Sequence, residues 1–278
     1  MSPIPDPKAV LSSYDAEMRA NAPPDAGFEL IRGSSLVWMR GPGHHFVLFA
    51  RPEPGQAAAL IEAQLAELRA LGGELEWKVY SHDLPGDLGA LLAKAGFCPD
   101  PPETLMALDL AEPVSPPTVP EGLELRWVHD EAGLQDAVAA AVAAFGHDDG
   151  SVRGHAEGRL DDPSVALCVA YLDGVPVSSG RVELPAGRPF ASLWGGGTRP
   201  EYRNRGIYHA LVLCRAQLAR DRGFRYLMVD AQDATSRPIL ERIGFTPLAG
   251  IVGWIVRAPG PGRTGPTTPS EREGPTRG

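Results

Sequence analysis

The stretch Leu193–Tyr208, with the sequence LWGGGTRPEYRNRGIY, joins a predicted strand to the start of a predicted helix. The apolar run Phe190–Thr198 indicates the strand, and apolar residues at helical spacing predict a helix from about residue 205 to 222. Gly223 follows that helix, where a glycine commonly ends one. This order of strand, glycine-containing loop and helix favours an α/β protein.

The rest of the second half also alternates between strands and helices. Strand patterns cover 123–128, 165–172, 175–184, 226–231 and 251–256, and helical patterns cover 130–145, 151–160 and 235–243. Asp130 is a side chain that can cap the first of these helices. Asp173-Gly174 lies between two strands and predicts a tight hairpin, because such a turn needs positive φ.

The first half repeats the later part of this order. Strand patterns cover 28–31, 35–40, 45–51, 75–80 and 104–110, and helical patterns cover 56–71 and 88–95. Short matches recur at nearly constant spacing: Arg51-Pro52-Glu53 with Arg199-Pro200-Glu201, Gly73 with Gly223, and Gly96-Phe97 with Gly244-Phe245. The matches predict two related α/β units, the first a degenerate copy of the second.

Composition sets the expected domain limits. A chain of 278 residues is comfortable for two domains. Residues 111–120 hold repeated prolines and predict a linker, and 258–278 offer almost nothing to bury and predict disorder. We therefore expect a first domain over 1–110 and a second over 121–257.

Charge and cysteine usage exclude several classes of function. The formal net charge of -9 argues against nucleic-acid and membrane-surface partners, because phosphate binding needs clustered basic residues. Three cysteines without C-x-x-C spacing predict neither a metal site nor a disulfide framework. Without a signal-peptide pattern at the start or a long apolar run, we expect a cytoplasmic protein. The sequence does not indicate an oligomeric state.

The loop at 203–208 has the chemistry of a pyrophosphate cradle. Unpaired N–H groups at a helix start converge on an anion, and the helix dipole favours negative charge there. Gly206 lets the backbone approach closely, and Arg203 and Arg205 can reach phosphate oxygens. The alternative is a basic helix start that binds nothing.

Arg203 and Gly206 at this spacing, with Ile243-Gly244-Phe245 later, resemble the GNAT superfamily of N-acetyltransferases. The resemblance covers about 121–257 well and 25–110 as a decayed copy. It implies a mixed, strongly twisted sheet whose fourth and fifth strands splay apart, acetyl-CoA as donor and an amine on a small molecule or peptide as acceptor. It implies these cofactor contacts: Gly197, Thr198, Arg203, Asn204, Arg205, Gly206, Ile207, Tyr208, Asp233 and Ser236.

The sequence departs from the family pattern at three positions. Tyr208 occupies a position that is usually Gly or Ala, so its phenol either narrows the loop or faces the cofactor. Leu240 stands where a tyrosine often protonates the leaving thiolate. Asp233 replaces the asparagine usually found near the start of the same helix.

The catalytic candidates are Asp230 and Glu183 as bases and Tyr208 as a replacement acid. Either carboxylate can equally be a solvated or salt-bridged strand end, and positioning without an acid is also open. The triple glycine 195–197 predicts a bulge or a close approach, with a flexible strand end as the alternative. The resemblance implies a backbone N–H there that polarises the thioester carbonyl. Acidic residues around His147 and His155 favour a cationic acceptor.

The first half has only Pro54-Gly55 before its helix, so we expect no coenzyme A there. The leading hypothesis is an acetyl-CoA-dependent N-acetyltransferase with one active domain. The alternative is a non-catalytic acyl-CoA-binding or sensing protein. An aminoacyl-tRNA-dependent transferase is a further rival, against which the acidic net charge argues.

Overall fold

The computed structural model describes residues 4–25, 27–113, 119–148 and 150–258. These residues group into two compact units. Unit 1 consists of the residues up to Met18 together with Glu103–Gly250, and unit 2 consists of Arg19–Pro102 together with the residues from Ile251 onward. Half of the predicted linker (114–118) and nearly all of the predicted tail (259–278) lie outside the described residues.

The helices and strands follow the predicted order closely. The first half contains α1 (Pro7–Tyr14), β1 (Glu29–Arg32), β2 (Leu36–Arg40), β3 (His44–Ala50), α2 (Ala57–Leu71), β4 (Glu74–Tyr80), α3 (Leu88–Lys94), β5 (Cys98–Pro99) and β6 (Glu103–Asp109). The second half contains β7 (Leu123–Trp127), α4 (Glu131–Phe145), α5 (Ser151–Ala156), β8 (Val165–Leu172), β9 (Val175–Glu183), β10 (Phe190–Thr198), α6 (Ile207–Asp221), β11 (Tyr226–Gln232), α7 (Arg237–Ile243) and β12 (Thr246–Arg257).

Unit 1 is built on a mixed sheet with the strand order β6-β11-β10-β9-β8-β7. All neighbours are antiparallel except β10 and β11, which run parallel. One face, here called the α4 face, presents Leu167 and Val169 to α4. The opposite face, the α6 face, presents residues such as Val182 and Leu193 to a core shared with α6 and α7. The mixed sheet flanked by helices confirms the predicted fold class.

Unit 2 has a smaller mixed sheet in the order β1-β2-β3-β4-β12. Its only parallel pair among the described strands is β3 with β4, which flank α2 in the sequence. Its core is formed by buried residues of the strands and of α2 and α3: Leu36, Trp38, Val47, Ile61, Leu65, Leu68, Leu75, Trp77, Leu88 and Leu92.

The two halves of the sequence exchange a strand between these units. The first-half strand β6 pairs with β11 in unit 1, from Tyr226 opposite Asp109 to Gln232 opposite Glu103. The Ile251–Arg257 part of β12 pairs with β4 in unit 2, from Ile251 opposite Tyr80 to Arg257 opposite Glu74. The compact units therefore differ from the linear domains 1–110 and 121–257, which stay a prediction. Side-chain alternation marks a strand but does not name its partner.

Local turn and cap signals are confirmed at atomic detail. Asp173 and Gly174 have φ values of 50° and 80°, as the hairpin requires. Asp130 accepts a hydrogen bond from Gly133 N at 2.8 Å and caps α4. Helix α1 was not predicted, although Asp6 caps it by accepting from Ala9 N at 3.0 Å and Pro7 occupies its first helical position.

Candidate functional site

Strands β10 and β11 separate part of the way along their length. They pair only from Phe190 opposite Tyr226 to Ser192 opposite Met228, although β10 continues to Thr198 and β11 to Gln232. Beyond this last pair, the facing edges of β10 and β11 do not pair with each other. This opening, here called the split, leaves backbone donors and acceptors available to an extended ligand.

The triple glycine lies on the β10 side of the split and forms the predicted bulge. The register with β9 shifts between Trp194 and Gly197, and Gly195 has a φ of 56°. A Cβ on Gly197 would lie 2.7 Å from the Phe145 ring and 2.9 Å from Ala144 Cβ. The close approach at Gly197 is therefore made by the protein's own helix α4.

The loop between β10 and α6 adopts two left-handed residues around Arg205. Asn204 has a φ of 62° and Gly206 a φ of 78°, and Gly206 is the N-cap residue of α6. The first backbone hydrogen bond into the helix runs from Ala210 N to Gly206 O at 3.0 Å. The N–H groups of Ile207, Tyr208 and His209 precede that bond, so the first turn can donate to an anion.

Arg203 is anchored to the protein backbone. Its Nε donates to Thr198 O at 3.1 Å and its Nη2 donates to Ala144 O at 3.0 Å. The guanidinium thus ties the loop to the ends of β10 and α4. Arg205 is exposed, with its guanidinium carbon 5.5 Å from the centroid of the Tyr202 ring. Of the two predicted phosphate ligands, Arg203 is thus held by the backbone, whereas Arg205 lies exposed beside Tyr202.

Thr198 is buried at the end of β10, where its hydroxyl pairs with Ser178 Oγ at 2.9 Å. Ser178 Oγ also donates to Gly197 O at 2.7 Å. These bonds use the Thr198 side chain and the Gly197 carbonyl to hold β9 against the end of β10. The two hydrogen bonds therefore fix the shape of the end of β10 at the site.

Tyr208 lies on the α6 face, partly buried against the apolar core. Its Cε2 would be 3.1 Å from a Cβ on Gly196, so the ring edge lies against the bulge strand. Burial raises the pKa of Tyr208, and the positive charge of Arg215 opposes that rise. The phenol is therefore neutral at pH 7 and can donate a proton.

The two candidate bases lie on the other face of the same sheet. Val182 and Leu184 belong to the core on the α6 face, so the intervening Glu183 faces the α4 side. The same alternation on β11 places Asp230 on the α4 face, between Val229 and Ala231. Glu183 accepts from Arg181 Nε at 3.1 Å and from Nη2 at 2.9 Å. Glu183 is thus salt-bridged, and Asp230 is half-buried.

Asp233 and Ser236 lie at the start of α7, close to the end of β11. Asp233 accepts from Thr104 Oγ1 at 2.6 Å and from Arg237 Nη1 at 3.2 Å, and these partners lower the pKa of its carboxyl. Ser236 Oγ accepts from Gln232 N at 3.0 Å. Leu240, further along α7, is fully buried in the core, so this helix supplies no acid at that position.

Arg215 is a site residue that the sequence analysis missed. It occupies the same stripe of α6 as Ile207 and Leu211, and it is fully buried with 1% exposure. The sequence contains a signal for this residue, because Arg215 follows Ile207 and Leu211 at four-residue spacing on the side of α6 that faces the core. The histidines His147 and His155 bind only nearby backbone carbonyls in the bonds described, Phe145 O and Ser151 O.

Residues 127–245 match the family model described as the Acetyltransferase (GNAT) family. A GCN5-related N-acetyltransferase from Kribbella flavida superposes with a TM-score of 0.67 at 18% identity, covering 91% of this chain and 95% of that one. A GCN5-related N-acetyltransferase from Sphaerobacter thermophilus gives a TM-score of 0.61 at 19% identity, covering 81% and 78%.

A tandem GNAT protein from the clavulanic acid biosynthesis pathway gives a TM-score of 0.58 at 17% identity, covering 91% of this chain and 94% of that one. At such identities the superpositions show the fold, and they extend it over most of the chain. A search of curated proteins found no match. The helices of the described residues are all too short or too polar to cross a membrane.

Proposed function

We propose that this chain is an acetyl-CoA-dependent N-acetyltransferase that transfers an acetyl group to an amine in unit 1. The observation that carries the proposal is the split between β10 and β11, followed directly by a loop with left-handed Asn204 and Gly206. An extended ligand edge, a set of converging N–H groups and a helix dipole are together what a nucleotide-linked pantetheine needs. The match of residues 127–245 to the GNAT family model supports this assignment.

Acetyl-CoA fits these residues in one orientation. The pyrophosphate would bind the N–H groups of Gly206, Ile207 and Tyr208, with Arg205 free to turn toward it. The pantetheine arm would lie along the free edges of the split and reach the bulge at Gly195–Gly197. Asn204, Asp233 and Ser236 would contact it near the ends of the split. Gly197, Thr198 and Arg203 would hold the shape of the loop.

The two faces of the sheet divide the proton transfers. The acceptor amine would approach from the α4 face, where Asp230 or Glu183 takes its proton directly or through water. A backbone N–H in the bulge would polarise the thioester carbonyl. On the α6 face, Tyr208 would protonate the leaving thiolate, in the role that Leu240 cannot perform. Because the split passes between the faces, the reacting thioester would be reachable from both.

The first half would be a degenerate copy that binds no coenzyme A. Its helix α2 follows Pro52, Pro54 and Gly55 and has Gln56 as N-cap residue without a side-chain cap bond. Pro54 has no N–H to donate, and Gln56 N already donates to Glu53 O at 2.9 Å, so these two backbone groups beside the start of α2 are not available to an anion.

A second candidate is a non-catalytic acyl-CoA-binding or sensing protein. The buried Leu240 and the salt bridge between Glu183 and Arg181 favour it, because both remove an obvious catalytic group. The two candidates share the binding site and differ only in turnover.

The deciding experiment measures release of coenzyme A thiol from acetyl-CoA across a panel of amines. The panel should include polyamines, aminoglycosides, amino acids, peptide N-termini and peptide lysines, with binding of acetyl-CoA measured in parallel. Amine-dependent thiol release supports the transferase. Binding without release on any amine supports the sensor, and an absence of binding overturns both.

A further inference from the structure

Arg215 is a buried cation without an acidic partner among the described residues. Its Nε donates to Leu211 O at 3.1 Å and its Nη1 to Arg181 O at 3.0 Å, while Nη2 has no hydrogen-bond partner. Burying an unpaired charge is costly, and buried arginines are normally matched by carboxylates. A purely structural role on this helix stripe would be served better by leucine or methionine.

Two glycines make the room that this guanidinium occupies. A Cβ on Gly180 of β9 would lie 2.6 Å from Arg215 Nη1 and 2.8 Å from Cζ. A Cβ on Gly196 of β10 would lie 3.1 Å from Nη2. Both strands therefore accommodate the charge through missing side chains. The guanidinium lies directly under the bulge that borders the split.

Three titratable groups face the Arg215 guanidinium from the elements packed around it: Tyr208 and Cys214 on α6, and Cys168 on β8. Cys168 is fully buried, and its hydrogen bond with Cys214 raises the pKa of the Cys168 thiol. Of these three groups, Tyr208 lies beside the bulge. Its Cε2 and Arg215 Nη2 are each 3.1 Å from the same point, the Cβ position of Gly196.

We propose that Arg215 is a positioning residue whose charge stabilises the phenolate that Tyr208 forms when it protonates the leaving thiolate. This inference rests on the proposed acyl transfer. In the step, the amine nitrogen forms a bond to the carbonyl carbon and the C–S bond breaks, leaving the electron pair on sulfur. The Tyr208 Oη proton passes to that sulfur. The proton lost by the amine passes to the base, and solvent later returns one to Tyr208.

The geometry explains why an acid at this position needs a cation. Burial alone raises the pKa of Tyr208 away from neutrality, which makes proton donation less favourable. The nearby positive charge of Arg215 acts in the opposite direction, because it favours the charged phenolate over the neutral phenol. Arg215 thus offsets the burial that shields Tyr208 from solvent.

The first test needs no turnover. Tyrosinate absorbance is titrated for the wild type, Arg215→Met, Tyr208→Phe and the double variant, and subtraction isolates Tyr208 in each background. The Tyr208 midpoint should rise by about one pH unit or more without Arg215. An unmoved midpoint overturns the inference. Arg215→Lys, which keeps the charge, should leave the midpoint close to that of the wild type.

The second test is a double-mutant cycle on kcat with the best amine of the panel. Arg215→Met should lower kcat about tenfold when Tyr208 is present and change it less than about twofold in the Tyr208→Phe background. Equal losses in both backgrounds would show that Arg215 acts independently of Tyr208, which overturns the inference.

If Arg215→Met does not fold, Gly180→Ala is the substitute variant. The alanine Cβ would displace the Arg215 guanidinium while the arginine itself is retained. It should raise the Tyr208 midpoint in the same direction, and an unchanged midpoint counts against the proposal. A shifted midpoint with no turnover on any amine overturns proton donation and acyl transfer together. An unmoved midpoint with intact turnover overturns only the role of Arg215.

Discussion

The helix starts of α6 and α2 have similar surroundings and different chemistry. Each is a 15-residue helix that connects two parallel strands, β10 to β11 and β3 to β4. Each strand pair also separates: β3 and β4 pair only up to Val47 opposite Trp77, although both strands continue. A split with a helix behind it therefore occurs in both units, and the loops between strand and helix distinguish them.

The difference lies in which backbone groups the two loops present. The α6 loop combines left-handed Asn204 with left-handed Gly206 at the N-cap. The α2 loop has one left-handed residue, Gly55, and then Gln56 in a right-handed conformation at the N-cap. Pro54, which has no proline counterpart in the α6 loop, removes a donor from the α2 loop, and Gln56 N donates to Glu53 O at 2.9 Å.

Helices α6 and α2 also carry different residues at matching positions. The second residue is Tyr208 in α6 and Ala58 in α2, and the ninth is Arg215 in α6 and Leu65 in α2. Leu65 packs in the apolar core of unit 2, as a core-facing position normally does. The polar pair on α6 is therefore a departure from the packing that the same architecture uses elsewhere in this chain.

The largest expected effect comes from Gly206→Glu. A side chain at a φ of 78° strains the loop, and its carboxylate repels a pyrophosphate at the helix start. We expect acetyl-CoA affinity to fall about 100-fold or more, equivalent to about 2.7 kcal/mol, measured by calorimetry.

Gly55→Glu is the matched control for that variant. Gly55 has a φ of 79°, and a Cβ there would meet nothing within 4 Å, as at Gly206. It should leave acetyl-CoA affinity unchanged. Equal losses from the two substitutions would mean that unit 2 also binds the cofactor.

Tyr208→Phe should lower kcat by about 100-fold with little change in acetyl-CoA affinity, because it removes the proton donor and keeps the ring. The pH profile gives a second measurement. As the proposed acid, Tyr208 acts only while it is protonated, so wild-type kcat should fall as pH rises through its raised pKa. Tyr208→Phe should lack that decline. A decline that persists in this variant would assign it to another group.

Gly197→Ala tests the packing of the bulge, for which β3 has no glycine counterpart. The new Cβ would meet Phe145 and Ala144 at under 3.0 Å, so the free energy of unfolding should drop by about 2 kcal/mol. Gly154→Ala in α5 is the control, because its Cβ meets nothing within 4 Å. Chemical denaturation of both variants measures the difference, and equal stabilities would exclude tight packing at Gly197.

The smallest expected effect is that of Asp233→Asn, at the start of α7. Thr104 and Arg237 lower the pKa of Asp233 in the folded protein, so its stabilising contribution is present above the ordinary aspartate pKa. That contribution is lost as pH falls through the lowered folded pKa. Asp233→Asn should therefore lower Tm slightly near neutral pH and not in acid. A difference in Tm independent of pH would point to packing.

Local signals predicted most of the fold and the place of the loop. Asp173-Gly174, the Asp130 cap and the spacing of Arg203 and Gly206 each act over a few residues, so a single sequence contains the whole signal. The pairing of β6 with β11 and the anchoring of Arg203 on Ala144 depend on residues far apart in the chain. The pattern around Arg203 predicted a phosphate ligand, and that role stays a prediction.

The exchange of β6 and β12 has a consequence for synthesis on the ribosome. The first half emerges first, at about 5–20 residues per second. The edge of β4 that pairs with β12 stays open until Ile251–Arg257 has been translated. Strand β6 similarly waits for β11. Neither unit can complete its sheet before these second-half strands emerge, so the nascent chain carries unpaired strand edges, a target for chaperones, until then.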